Sequence, residues 1–190
     1  MKIPTVIYRP VCAALPLIAA GIMLGTGWTT AATPPSDKGD KVVTGGDLAF
    51  MNDAGPGGMA EVEMGRLAVQ RAANADVKEF AQQMIVDHSK AGEKLKALAQ
   101  QKRVTLPPKI LPQAHQTKEK LSKLSGAEFD RAYVKAMVEV HEKDVAAFEA
   151  MAKNATDADV KAFAAGTAPT LRHHLEMIRG LAQRLGVPLK

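Results

Sequence analysis

Three histidines stand where helical periodicity turns a side chain inward. His88 falls on the stripe of Val77, Phe80, Ala81, Met84, Ala91, Leu95 and Leu98, whose steps of three and four describe one face of a helix. His174 fills the gap between Leu171 and Ile178 on a stripe that also carries Val160, Phe163, Thr167, Leu181 and Leu185. His141 stands four residues after Met137 and seven before Phe148, on or beside the face marked by Phe129, Tyr133 and Val140. Imidazoles and carboxylates projecting into a bundle core are the donors with which helical bundles hold iron or manganese, and imidazole also suits zinc and copper.

Carboxylates complete the candidate set. Glu63 lies between Ala60 and Leu67 at helical spacing and is taken as the inward acid, whereas Glu61 shares a face with Met64, Gly65 and Ala68. Asp87 precedes His88, but adjacent residues point ~100° apart on a helix, so the two share one ion only with difficulty. The candidate metal ligands are therefore Glu63, Asp87, His88, His141 and His174. A full di-iron centre needs Glu-x-x-His on two helices, and the sequence has neither copy. Two readings stay open. One is a metal-binding or redox bundle holding iron, manganese, zinc or copper. The other is a non-catalytic binding or stress-related module whose histidines are core polar groups bonded to Glu63, Asp87, Asp144 or one another. Met84, four residues before His88, is read as core filling rather than as a copper(I) ligand.

Other chemistries find no support. Serines are few, no Ser/His/Asp arrangement can be argued, and no catalytic residue is assigned, so an enzyme is not expected. The single cysteine, Cys12, excludes a disulfide scaffold. A formal net charge of +5 is mild, and Lys alternates with Glu along the helices, which excludes nucleic acid as a partner. The sequence is silent on protein partners and on homo-oligomers.

Four helices must position these side chains, in an all-α, ferritin-like up-down four-helix bundle with a long crossover between the second and third. They are read over 47–73, 75–102, 127–153 and 157–185. Asn74 is the expected cap of the second helix, Ser125 with Glu128 of the third and Thr156 with Asp159 of the fourth, which Gly186 and Pro188 stop. Gly55, Pro56, Gly57 and Gly58 are expected to break or kink the first. The connection holds Pro107, Pro108 and Pro112, and His115 there is expected to be exposed. Two stretches resemble each other at a distance of 83 residues, Ala75-Asp76-Val77-Lys78-Glu79-Phe80-Ala81 and Ala158-Asp159-Val160-Lys161-Ala162-Phe163-Ala164, which hints at a duplicated hairpin.

Ahead of the bundle, Lys2 and Arg9 precede an apolar run from Val11 to Trp28 and the small residues Thr30, Ala31 and Ala32. That is the pattern of a signal peptide over 1–32, with cleavage favoured over an uncleaved anchor. A flexible linker over 33–46 and the bundle domain over 47–186 follow. Contact with a membrane is expected only through this N-terminal segment, and the destination is the periplasm or cell envelope.

The run Gly57-Gly58-Met59-Ala60-Glu61-Val62-Glu63-Met64-Gly65-Arg66-Leu67-Ala68 and the run Val77 to His88, ending Met84-Ile85-Val86-Asp87-His88, carry a resemblance. With Phe129-Asp130-Arg131-Ala132-Tyr133, His141 and the segment from Leu171 to Leu175, they resemble the exported bacterial domain-of-unknown-function family 4142 over about 47–185. The resemblance implies a ferritin-like fold and export, and brings no established activity.

Overall fold

The structure, a computed structural model, describes residues 43–189. The expected signal peptide and all but the end of the expected linker lie outside the described residues. Among the described residues the elements are α1 (Gly45–Arg71), α2 (Ala75–Gln101), α3 (Pro112–Ser122), α4 (Gly126–Asn154) and α5 (Ala158–Arg184), with no strand. No helix among them is long and apolar enough to cross a membrane.

Two aspartates set the topology. Asp130, at the start of α4, accepts the backbone N–H groups of Ala73 (3.1 Å) and Asn74 (2.9 Å) in the α1–α2 turn. Asp47, in the first turn of α1, accepts from Thr156 N–H (3.0 Å), Thr156 Oγ1 (2.7 Å) and Asp157 N–H (2.7 Å) in the α4–α5 turn. Each hairpin thus begins beside the other hairpin's turn. The two turns lie at opposite ends and the four long helices run up, down, down, up, as a crossover requires. Around the bundle α1 packs on α2 and α4, and α5 on α4 and α2. At Gly65 the α1–α2 approach is close, since a Cβ there would stand 3.1 Å from the Ala81 carbonyl oxygen and 3.0 Å from Ile85.

The hairpins repeat each other in a common register of 83 residues. Asn74 Oδ1 caps α2 through Asp76 and Val77 N–H, and Asp157 Oδ1 caps α5 through Asp159 and Val160 N–H. Both second helices end with the same turn. Val104 N–H bonds to Ala99 O and Val187 N–H to Ala182 O, each at 2.8 Å, after a residue of positive φ, Arg103 (55°) or Gly186 (62°). The ring pairs Phe80–Tyr133 and Phe163–Phe50 have the same centroid separation of 6.4 Å. Asp47 and Asp130 occupy equivalent positions in this register.

Five local expectations differ from the structure. Helix α1 runs unbroken through Gly55, Pro56, Gly57 and Gly58, because buried Pro56 and the packing of Gly55 against Leu95 and Leu106 outweigh the weak local propensity. Helix α1 starts at Gly45 rather than at 47, and Val43 just before it is buried. The crossover contains α3, started by Pro112 at its first position. Asp157, not Thr156, caps α5, because Thr156 is drawn to Asp47. Ser125 is the N-cap residue of α4 but its hydroxyl makes no capping bond.

The interior divides by level. Met64, Phe80, Met84, Phe129, Tyr133, Met137 and Ile178 belong to one apolar cluster, and Phe50, Met51, Leu95, Phe148, Val160 and Leu171 to the other. On α2, α4 and α5 the residues between the two clusters are His88, His141 and His174, all buried.

Candidate metal centre

Three helices each deliver one imidazole to this middle layer. The ring centroids of His88, His141 and His174 are 5.8, 5.4 and 5.5 Å apart, and one ring nitrogen from each lies within 4.8 Å of the others. Imidazoles sharing one ion at ~2.0 Å would hold their ring centres ~5 to 5.5 Å apart, so little more than a small adjustment of the side chains separates this arrangement from ligation.

Each ring is oriented by a bond at its other nitrogen. His141 Nδ1 lies 2.9 Å from the Met137 carbonyl oxygen, which can only accept, so the proton sits on Nδ1 and Nε2 carries the lone pair. His174 Nε2 lies 2.8 Å from Asp87 Oδ2, leaving Nδ1 as its free nitrogen. His88 Nδ1 stands 2.9 Å from Glu61 Oε2, leaving Nε2. These three remaining nitrogens, His88 Nε2, His141 Nε2 and His174 Nδ1, are buried and have no hydrogen-bond partner among the described residues. Glu61 Oε1 is also without one, 3.6 Å from His141 Nε2.

Electrostatics keep the imidazoles neutral. Burial pushes the His88 pKa down to about 4 against the pull of Asp144 and Asp87. Burial lowers His141 despite Glu61, and lowers His174 despite the Asp87 bond. Asp87 is a carboxylate at neutral pH: burial disfavours its charge, but bonds from Gln83 and His174 outweigh that and lower its pKa. Glu61 and Asp144 face each other, and burial raises both well above the ordinary carboxyl range, so the pair retains a proton near neutrality. Burial likewise raises Tyr133, whose hydroxyl stays protonated. Neutral imidazoles with a carboxylate or carbonyl behind them are the form in which histidine ligates a metal.

The structure brings together three of the five residues expected as ligands and moves the other two. Glu63 does not face inward: its side chain is 40% exposed and pairs with Lys118 Nζ at 2.6 Å. The inward carboxylate of α1 is Glu61, 2% exposed, two residues earlier and therefore on the opposite side of the helix. Its steps of three and seven to Met64 and Ala68 were the available signal. Asp87 is 24% exposed and meets His174 rather than the centre of the cluster. His115 is exposed, as expected.

The chain matches the family described as Domain of unknown function (DUF4142) over residues 32–181. It belongs to that family. No match is found for this DUF4142 chain among curated proteins. Solved structures share its fold at low identity. A DUF305 fragment from Deinococcus radiodurans is 15% identical with a TM-score of 0.66, covering 75% of this chain and 98% of its own. A DUF305 protein of Streptomyces coelicolor, described as secreted, is 16% identical with a TM-score of 0.64, covering 76% and 96%. CopM in its Cu(I)-bound form is 17% identical with a TM-score of 0.62, covering 73% and 96%.

Proposed function

We propose that this DUF4142 protein is an exported, non-catalytic metal-binding bundle that holds one transition-metal ion between His88, His141 and His174. The observation that carries the reading is the set of three buried ring nitrogens without partners, on imidazoles whose other nitrogens are already held by Glu61, Met137 and Asp87. A polar layer built only for packing would leave these lone pairs unsatisfied at about 1 to 3 kcal/mol each. An ion turns that cost into ligation. Glu61 Oε1 is the nearest further donor, and it supplies negative charge beside the ion.

Imidazole donors follow the stability order that places copper(II) above zinc(II) and both above manganese(II) and iron(II). Copper(II) is therefore the first candidate, and the copper-bound forms of CopM, on a similar fold, are in keeping with it. Export rests on the apolar N-terminal segment and on the description of the Streptomyces coelicolor neighbour as secreted. Protein freed of metal with a chelator, then titrated with copper(II), zinc(II), iron(II) and manganese(II), should take up close to one ion per chain and melt at a higher temperature. Less than about 0.1 ion per chain with no shift in melting would overturn the reading.

A further inference from the structure

The 83-residue register also compares the two sides of the middle layer, position by position. Gly57, Gly58, Ala91 and Gly92 correspond to Val140, His141, His174 and Leu175, and Ala147 corresponds to Met64. In all five pairs the side away from His141 and His174 has the smaller residue. There the structure has a hollow of ≈ 100 Å³, lined by these five small residues. Its outer end is marked by exposed Asp53, Gly92 and Ala147, which come from three different helices. Its inner end is formed by His88 and Glu61, 7% and 2% exposed. Each brings one buried atom with no hydrogen-bond partner among the described residues, His88 Nε2 and Glu61 Oε1.

We infer that this hollow is the passage through which a transition-metal ion enters and leaves the three-histidine site. The inference rests on the metal reading above and adds a direction to it: His88 and Glu61, which line the hollow, are met first, and His141 and His174, which do not, afterwards. A path is needed, because His141 and His174 are both 0% exposed and a buried site fills only if an ion can reach it. The hollow has room for one. A water molecule needs on the order of 10 to 15 Å³ of such space, so several fit and the ion can travel partly hydrated. The opposite side shows the closed alternative, since Val140 and Met64, the counterparts of Gly57 and Ala147, are packed into the apolar core. Asp53 adds an acid at the mouth, where its counterpart is Ala136, and acids at a mouth raise the local concentration of cations.

Copying the closed side into the open one tests the passage. Gly57→Val with Ala147→Met installs both counterparts and touches no ligand. A Cβ at Gly57 meets nothing within 4 Å, and Val is the better helix former. Copper(II) uptake by the metal-free full chain is followed by stopped-flow absorbance, release by transfer into excess chelator, and affinity by chelator competition. A plugged passage slows entry and exit alike, so both rates should fall about tenfold or more while affinity stays within about twofold. Gly92→Leu, which copies Leu175, should act in the same direction and carries the test if the first variant does not fold. Unchanged rates in a folded plugged variant would overturn the passage alone and point to entry beside Asp87, the 24% exposed partner of His174. Weaker affinity through faster release would overturn it too, because that is damage to the site and not a blocked path. A wild-type chain that takes up no ion would overturn the metal reading and the passage together.

Discussion

At the level where His141 closes one half of the bundle the other half carries Gly58, and opposite His174 it carries Ala91, whereas Glu61 and Asp144 are acids in both halves. The same two hairpins agree closely at their ends. Asn74 and Asp157 cap in the same way, Asp130 and Asp47 reach across to the opposite turns, and both second helices close on a residue with positive φ. What has been kept in both copies is what folds a hairpin and docks it against its partner. What differs is a single layer in the middle, and there one side has imidazoles while the other has open space. The contacts that cap and dock the hairpins therefore rest on residues separate from those of the middle layer.

The largest effect should come from copying one half into the other. His141→Gly, which installs the residue of its counterpart, is expected to weaken copper(II) or zinc(II) binding by about 100-fold or more, since even the orienting partners of metal ligands contribute about 10- to 100-fold. Gly58→Ala should leave affinity within about twofold; a competition titration against a chelator measures both. Equal losses in the two variants would mean that the halves do not differ in the way described.

Next come the cross-hairpin aspartates. Removing a carboxylate that accepts several backbone N–H bonds costs about 1.5 to 3 kcal/mol. Asp47→Ala should destabilise more than Asp130→Ala, because Asp47 satisfies two amides and a hydroxyl while Asp130 satisfies two amides. Denaturant unfolding of the metal-free chain gives the ranking, and metal stoichiometry should survive in both. Smaller still is the expected effect of Asp87→Asn, about a 10-fold loss of metal affinity with little change in stability, because Asp87 positions the His174 ring from the edge of the site.

How much of this was legible in the sequence follows from the same division. The three histidines could be found because each interrupts an apolar stripe at a helical step, and the stripe fixes direction on a regular helix. The α1 carboxylate was misassigned because Glu61 and Glu63 both lie near small or apolar residues, and Gly55, Gly57 and Gly58 weaken the pattern that would separate them. Counting from Asp144 by the register of the repeat would have selected Glu61. Continuity of α1 through Pro56 depends on packing against α2 and the crossover, which no local propensity encodes. The capping role of Asp47 was invisible for a related reason, since its partners Thr156 and Asp157 lie over 100 residues away.

The finest test of the comparison uses pH, because the two kinds of buried group in the middle layer pull stability in opposite directions. His88 has its folded pKa lowered from 6.5 to about 4 by burial, so the folded state takes up a proton less readily than the unfolded one. Its contribution to stability is present above about pH 6.5 and is lost as pH falls towards about 4. The folded pKa values of Glu61 and Asp144 are raised instead, to about 7 and about 8, so their contribution is present below about pH 4 and is lost as pH rises through those values. Between about pH 4 and 6.5 the two trends oppose, and the wild-type profile alone will not separate them. Substitutions will. His88→Leu, which copies Leu171 at the equivalent position, should gain on the wild type as pH falls from about 6.5 to 4. Asp144→Asn should gain on it as pH rises from about 4 to 8. Each difference should grow by on the order of 1 kcal/mol per pH unit crossed, read from urea unfolding of metal-free protein. A His88→Leu difference that stays flat across the acid range would mean the imidazole is not buried in neutral form, and the proposed metal binding would lose the lone pairs that support it.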